Sequence, residues 1–144
     1  MFFLLKKLVF LVENVYLCKM IKILILMILL HVVDDFVLQP VCLSKLKQKS
    51  WWEKQDSYKS LYKHDYMMAL LMHSMSWSAM ILLPYIFLLN VPGSILLGVF
   101  CLNASIHYIV DDEKANKGRL NLMADQTFHL IQILVSWIIL CQWL

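Results

Sequence analysis

The chain has 144 residues, 61% of them hydrophobic, a mean hydropathy of +0.69 and a formal net charge of +3. So apolar and short a chain excludes an ordinary soluble domain and predicts one compact helical bundle in a membrane. Three Gly, three Pro and four scattered cysteines without a C-x-x-C spacing also exclude a disulfide framework or a thiolate zinc site, and no internal repeat is visible.

In chain order, residues 1–19 read as an N-terminal extension. The apolar run from Phe2 to Val12 is interrupted by Lys6 and Lys7 and is too short to span a membrane, which predicts an interfacial amphipathic helix. A cleaved signal peptide is the alternative, although no Ala-x-Ala-like site supports it. Residues 20–144 form the expected membrane domain, and Met20 opens a natural-looking start.

Four apolar stretches, residues 16–38, 66–89, 92–110 and 122–144, approach the roughly 20 residues needed to cross about 30 Å of hydrocarbon. The expected fold is all-α, a four-helix transmembrane bundle with an N-terminal amphipathic extension. Lys45, Lys47, Lys49, Lys54, Lys59 and Lys63 lie between the first two stretches, and Lys114, Lys117 and Arg119 between the last two. Nine basic residues on one side, against Lys6, Lys7, Lys19 and Lys22 ahead of the first stretch, make that side cytoplasmic by the positive-inside rule. Asn90-Val91-Pro92-Gly93 is a short uncharged turn on the opposite side. The expected location is an integral, multi-pass position in a bacterial inner membrane, or in a host membrane for a phage-encoded chain.

The chemistry concentrates at one depth. His31 and Asp35, His107 and Asp111, and Asp125 and His129 are each four residues apart, so each pair shares a helix face, and His73 stands alone in the second stretch. Ionisable groups inside spans are costly and normally face the bundle interior with partners, so their clustering near the cytoplasmic end predicts a site. Imidazole and carboxylate donors without thiolate suit zinc, manganese or iron. His31, Asp35, His73, His107, Asp111, Asp125 and His129 are therefore the expected metal ligands. They suffice for two ions sharing a carboxylate, or for one ion whose imidazoles are oriented by outer carboxylates.

The same segments carry a resemblance. His31-Val32-Val33-Asp34-Asp35-Phe36-Val37-Leu38-Gln39, His107-Tyr108-Ile109-Val110-Asp111-Asp112-Glu113-Lys114 and Ala124-Asp125-Gln126-Thr127-Phe128-His129, with the lone His73, resemble the motif set of the domain of unknown function 3307 family. The resemblance covers residues 20–144 and implies a small bacterial or phage membrane protein with these site positions; it implies no reaction. The chain is also broadly similar to proteins named membrane-bound metal-dependent hydrolases.

The neighbours of these residues have plainer expected roles. Asp34 points roughly 100° away from Asp35 on an α-helix and reads as an interface charge. Gln39 continues the His31 stripe, and Gln126 reads as a helix–helix hydrogen-bonding group. His64 reads as exposed, and Ser74, Ser76 and Ser78 as small packing residues without a nucleophile pattern. Trp51 and Trp52 with Tyr58 and Tyr62 read as an interfacial belt, not a nucleic-acid stacking platform, and no nucleic-acid partner is expected.

The function expected from this pattern is a membrane metal-dependent hydrolase acting on a lipid or phosphate ester, with membrane lipid as its surroundings. Asp35 or Asp111 serves as general base when unligated, and Lys114 stands near a developing negative charge. The alternatives are a non-enzymatic phage or bacterial membrane protein, holin-like or an inhibitor of a host membrane protein, with a structural His/Asp layer, and ion transport or a di-iron oxidising site.

Overall fold

The computed structural model describes residues 2–39, 41–54 and 62–143, with the side chains of residues 2–13 outside that description. All regular structure among the described residues is helical. Helix α1 spans Phe2–Val32 and passes directly into a π-helical segment, Val33–Leu38. Short helices α2 (Val41–Leu46) and α3 (Lys49–Glu53) follow, then three long ones, α4 (Asp65–Leu88), α5 (Gly93–Ala115) and α6 (Leu122–Cys141).

Helix α1 contains neither Gly nor Pro, so nothing in its sequence interrupts the backbone hydrogen-bond ladder. It accordingly shows no break at residue 19, where the N-terminal extension was expected to end. The amphipathic placement expected there, and Tyr58 of the aromatic belt, fall outside the described residues.

The four long helices pack in a closed ring: α1 lies against α4 and α6, and α5 against the same two. Side-chain spacing dictates which faces meet. Ile23, Met27 and His31 are buried at intervals of four on α1, while Ile21, Ile25 and Leu29 on the opposite face are exposed. The same periodicity buries Leu70, His73, Trp77, Ile81 and Tyr85 on α4, and Asp125, His129, Ile133, Ser136 and Leu140 on α6. α4, α5 and α6 are long and apolar enough to cross a membrane. Pro84 sits inside α4 without ending it.

The bundle interior is stratified. One end holds an apolar core built on Ile23, Met27, Trp77, Ile81, Leu82, Tyr85, Ile133 and Leu140. The other end holds the ionisable residues. At the apolar end Tyr16 donates to the Cys141 carbonyl at 2.6 Å and Trp137 Nε1 to the Met20 carbonyl at 3.0 Å, fixing α1 antiparallel to α6.

Short connections set the register of the helices. Leu89–Pro92 joins α4 to α5 at the expected turn, with Pro92 at the helix start. Between α5 and α6, Gly118 adopts φ 63°, a left-handed conformation that glycine takes without Cβ strain, and Arg119 N–H returns to the Glu113 carbonyl at 2.9 Å. Asn121 then caps α6, its Oδ1 accepting from Ala124 N–H at 2.8 Å. That tight reversal brings Asp111 of α5 level with Asp125 of α6. Hydrogen bonds donated to Glu113 and Asp112 hold the Lys117 ammonium above its ordinary pKa at this exposed corner.

Candidate metal centre

All seven residues expected as ligands lie in the polar end of the bundle, and their side chains converge. His31, His73, His107, Asp111, Asp125 and His129 are buried, and the Asp35 side chain is only 9% exposed. Five of them form two groups with ligand atoms within 4.8 Å of one another: Asp35, His73 and His107, and His107, Asp111 and His129.

Asp111 is the hub. Its carboxylate lies 3.5 Å from His73 Nε2, 3.5 Å from His129 Nε2 and 3.7 Å from His107 Nε2. His73 Nε2 is also 3.5 Å from Asp35 Oδ1. These separations exceed the roughly 2.7–3.2 Å of a nitrogen–oxygen hydrogen bond. They match instead the edge of a coordination shell, because donors about 2.0–2.2 Å from one ion at tetrahedral angles stand about 3.3–3.6 Å apart.

The outer contacts fix the imidazole tautomers. Gln132 Nε2 donates to the Asn103 carbonyl at 3.1 Å, which turns its Oε1 toward His129 Nδ1 at 3.4 Å and leaves His129 Nε2 facing the carboxylates. Asp34 Oδ2 lies 3.8 Å from His73 Nδ1, and Ser76 donates to the other oxygen of Asp34 at 2.8 Å. The His107 ring is clamped between Trp77 and His129, at centroid distances of 4.3 and 4.1 Å.

His107 is the clearest pointer to an ion. It is fully buried, yet neither ring nitrogen has a hydrogen-bond partner among the described residues, and Asp35 Oδ1 and Asp125 Oδ1 are likewise without one. Buried polar atoms are rarely left so, since each costs about 1–3 kcal/mol. The donor set fits a single hard or borderline ion. A neutral imidazole has one lone pair, so His107 cannot serve both groups at once.

His31 and Asp125 fall outside both groups. Trp77 Nε1 donates to His31 Nδ1 at 2.8 Å. Gln126 Nε2 donates to Asp35 and Asp125, each at 3.2 Å, so its Oε1 must accept from His31 Nε2, at 3.1 Å. Both nitrogens of His31 are therefore spent on hydrogen bonds, one of them with the Gln126 amide that also reaches Asp35. The expected helix–helix role of Gln126 is met. Asp125 faces His129 Nε2 at 3.4 Å and takes a 2.5 Å hydrogen bond from Lys114.

Two participants were not anticipated. Asp34, expected at the interface, is 2% exposed and turned inward beside Asp35. The reason is the π-helical segment, whose wider turn reduces the angle between successive residues and admits both carboxylates to one face. Nothing in the local sequence announces that turn. Lys47, read as one of a basic run, is buried at 7% exposure and donates to Asp111 at 2.6 Å. No periodic signal marks it, because it reaches the site from the connection after α2. Gln39, Lys47, Lys114 and Asp125 line a polar cavity of about 290 Å³ beside the cluster. His64 is exposed, as expected, whereas Ser76 makes a polar contact beyond simple packing.

The polar layer and the apolar helices around it define a helical protein with membrane-crossing potential and a His/Asp group able to hold a metal ion. The chain belongs to the family described as protein of unknown function (DUF3307), which matches residues 23–143. No curated protein and no solved structure matches it.

Proposed function

We propose that this protein is a four-span membrane protein with a metal-dependent hydrolytic centre near the cytoplasmic headgroup level, acting on a lipid or phosphate ester. One observation carries the reading: the Nε2 atoms of His107 and His129 face one oxygen of Asp111 at 3.7 and 3.5 Å, beyond ordinary hydrogen-bond length and spaced as ligands, beside a polar cavity. α1 supplies the fourth span; its outward Leu17, Ile21, Ile25 and Leu29 offer lipid an uninterrupted apolar stripe. The basic residues of the two connections support a site on the cytoplasmic side of a bacterial inner membrane, or of a host membrane for a phage-encoded chain.

His107, His129 and Asp111 are the residues that would hold zinc, manganese or iron, which would supply Lewis acidity and an acidified water. Asp35 is the proton acceptor, with Oδ1 lacking a hydrogen-bond partner and Oδ2 anchored by Gln126. Lys114, at the cavity mouth, stabilises negative charge developing on the substrate oxygen. Metal content of protein purified in mild detergent, followed by phosphate or fatty-acid release from a lipid extract, tests the reading. Stoichiometric metal and hydrolysis should both disappear in His107→Ala.

A second reading, a non-enzymatic membrane protein (holin-like or an inhibitor of a host membrane protein), draws on the closed Trp77–His31–Gln126–Asp35 chain, a purely structural network. Folded wild-type protein without metal, and with His107→Ala unchanged, would leave that reading alone standing.

A further inference from the structure

Two lysine ammonium groups face the cavity beside the histidines, and each is held by one carboxylate. Lys47 Nζ donates to Asp111 Oδ2 at 2.6 Å and Lys114 Nζ to Asp125 Oδ2 at 2.5 Å. An ammonium has three donors, so each retains donors for something else. The cavity of about 290 Å³ has room for roughly ten waters at about 30 Å³ each, enough for a phosphate group and part of its alcohol.

Lys47 is placed deliberately. Asn116, just beyond α5, donates from Nδ2 to the Lys47 carbonyl at 3.1 Å and accepts from Lys49 N–H at 2.7 Å, clamping the α2–α3 connection over the site. The Asp111 oxygen that takes the ammonium is the one His73 Nε2 faces at 3.5 Å. His107 and His129 face its other oxygen, so a cation held there shares the Asp111 carboxylate with the Lys47 ammonium and draws charge away from it. A divalent ion on Asp111 weakens that carboxylate's hold on Lys47, whereas Lys114, paired with Asp125 outside both ligand groups, offers its unused donors throughout.

We propose that Lys47, loosened from Asp111 when the histidine–aspartate cluster takes a divalent ion, and Lys114 form a phosphate-binding pair, so that metal and a phosphate monoester bind cooperatively. This deepens the metal reading above and rests on it. Two convergent ammonium groups suit the double charge of a phosphate monoester better than a neutral carboxyl ester. The phosphate belongs either to a lipid headgroup or to a soluble monoester. Linkage makes the effect reciprocal: phosphate strengthens metal binding by the factor by which metal strengthens phosphate binding.

Calorimetric titration of the full chain in phosphatidylcholine nanodiscs, with zinc and with inorganic phosphate, tests this. Phosphate should bind the zinc-loaded protein at least tenfold more tightly than the zinc-free protein. Lys47→Met should move the two ligands in opposite directions, tightening zinc because a competitor for Asp111 is gone and weakening phosphate at least tenfold. Lys114→Met, whose lysine is half-exposed and less able to disturb folding, should also weaken phosphate, and Lys47→Arg should restore it. Wild-type protein that takes no zinc overturns the metal reading and this proposal with it. Zinc binding with phosphate affinity unchanged by zinc, or with Lys47→Met weakening both ligands, overturns the phosphate pair alone. Competition by phosphatidic acid in the nanodisc assigns the subsite to a lipid headgroup, and its absence to a soluble phosphate.

Discussion

Asp111 takes a lysine ammonium on one oxygen and faces three imidazoles, so the site's charge and geometry meet in one carboxylate. Replacing it should do more than remove a ligand, because Lys47 would be left buried without its counter-ion. Asp111→Asn is expected to abolish metal binding and lower thermal stability in detergent by about 3–5 kcal/mol, the cost of breaking a buried pair. Asp125 faces only His129 among the imidazoles and lies outside both ligand groups. Asp125→Asn should weaken metal roughly 10–100-fold without eliminating it, as loss of an orienting carboxylate does. His64→Ala should leave metal content unchanged, since His64 is exposed. Elemental analysis and competitive chelator titration read all three.

The π-helical segment is the element on which the acidic side of the site depends. A wider turn at Val33–Leu38 lets Asp34 reach Ser76 while Asp35 reaches Gln126, each from its own oxygen. Deleting Val33 should rotate both carboxylates by about 100° relative to His31 if the helix is otherwise kept. The expected result is at least a tenfold loss of metal affinity with helix content by circular dichroism unchanged; undiminished metal would remove the segment from the argument. The α5–α6 reversal is the second determinant. Asn121→Ala removes the cap of α6 and should cost about 1 kcal/mol of stability, read as a lower thermal midpoint.

For the whole molecule, the stratification into an apolar and a polar end puts both basic connections at one end of the bundle and the Leu89–Pro92 turn at the other. Labelling of single cysteines in intact cells should place positions 45 and 117 on the cytoplasmic side and position 90 on the other. Opposite sidedness of the two basic connections would defeat the four-span arrangement. A chain beginning at Met20 loses the Tyr16 bond to Cys141 but keeps every residue of the polar layer. It should insert and bind metal with full stoichiometry. Loss of metal from such a chain, with expression intact, would show that residues 1–19 contribute to the site.

The sequence by itself determined the helical character, three of the four expected apolar segments able to cross a membrane, the family and the gathering of the His/Asp pairs at one end of the bundle. These are local properties: hydropathy acts residue by residue, and a spacing of four puts two side chains on one face whatever the neighbouring helix does. It also marked the five residues of the two ligand groups, because each sits on a regular inward stripe. Only tertiary structure separated His31 from them, since its two nitrogens are spent on Trp77 and Gln126, residues 46 and 95 positions away. Only tertiary structure brought in Asp34, whose direction is set by a π turn, and Lys47, whose place is set by Asn116 from 69 residues along the chain. A local pattern says which face a side chain occupies; which partner takes its last lone pair is decided by packing between helices.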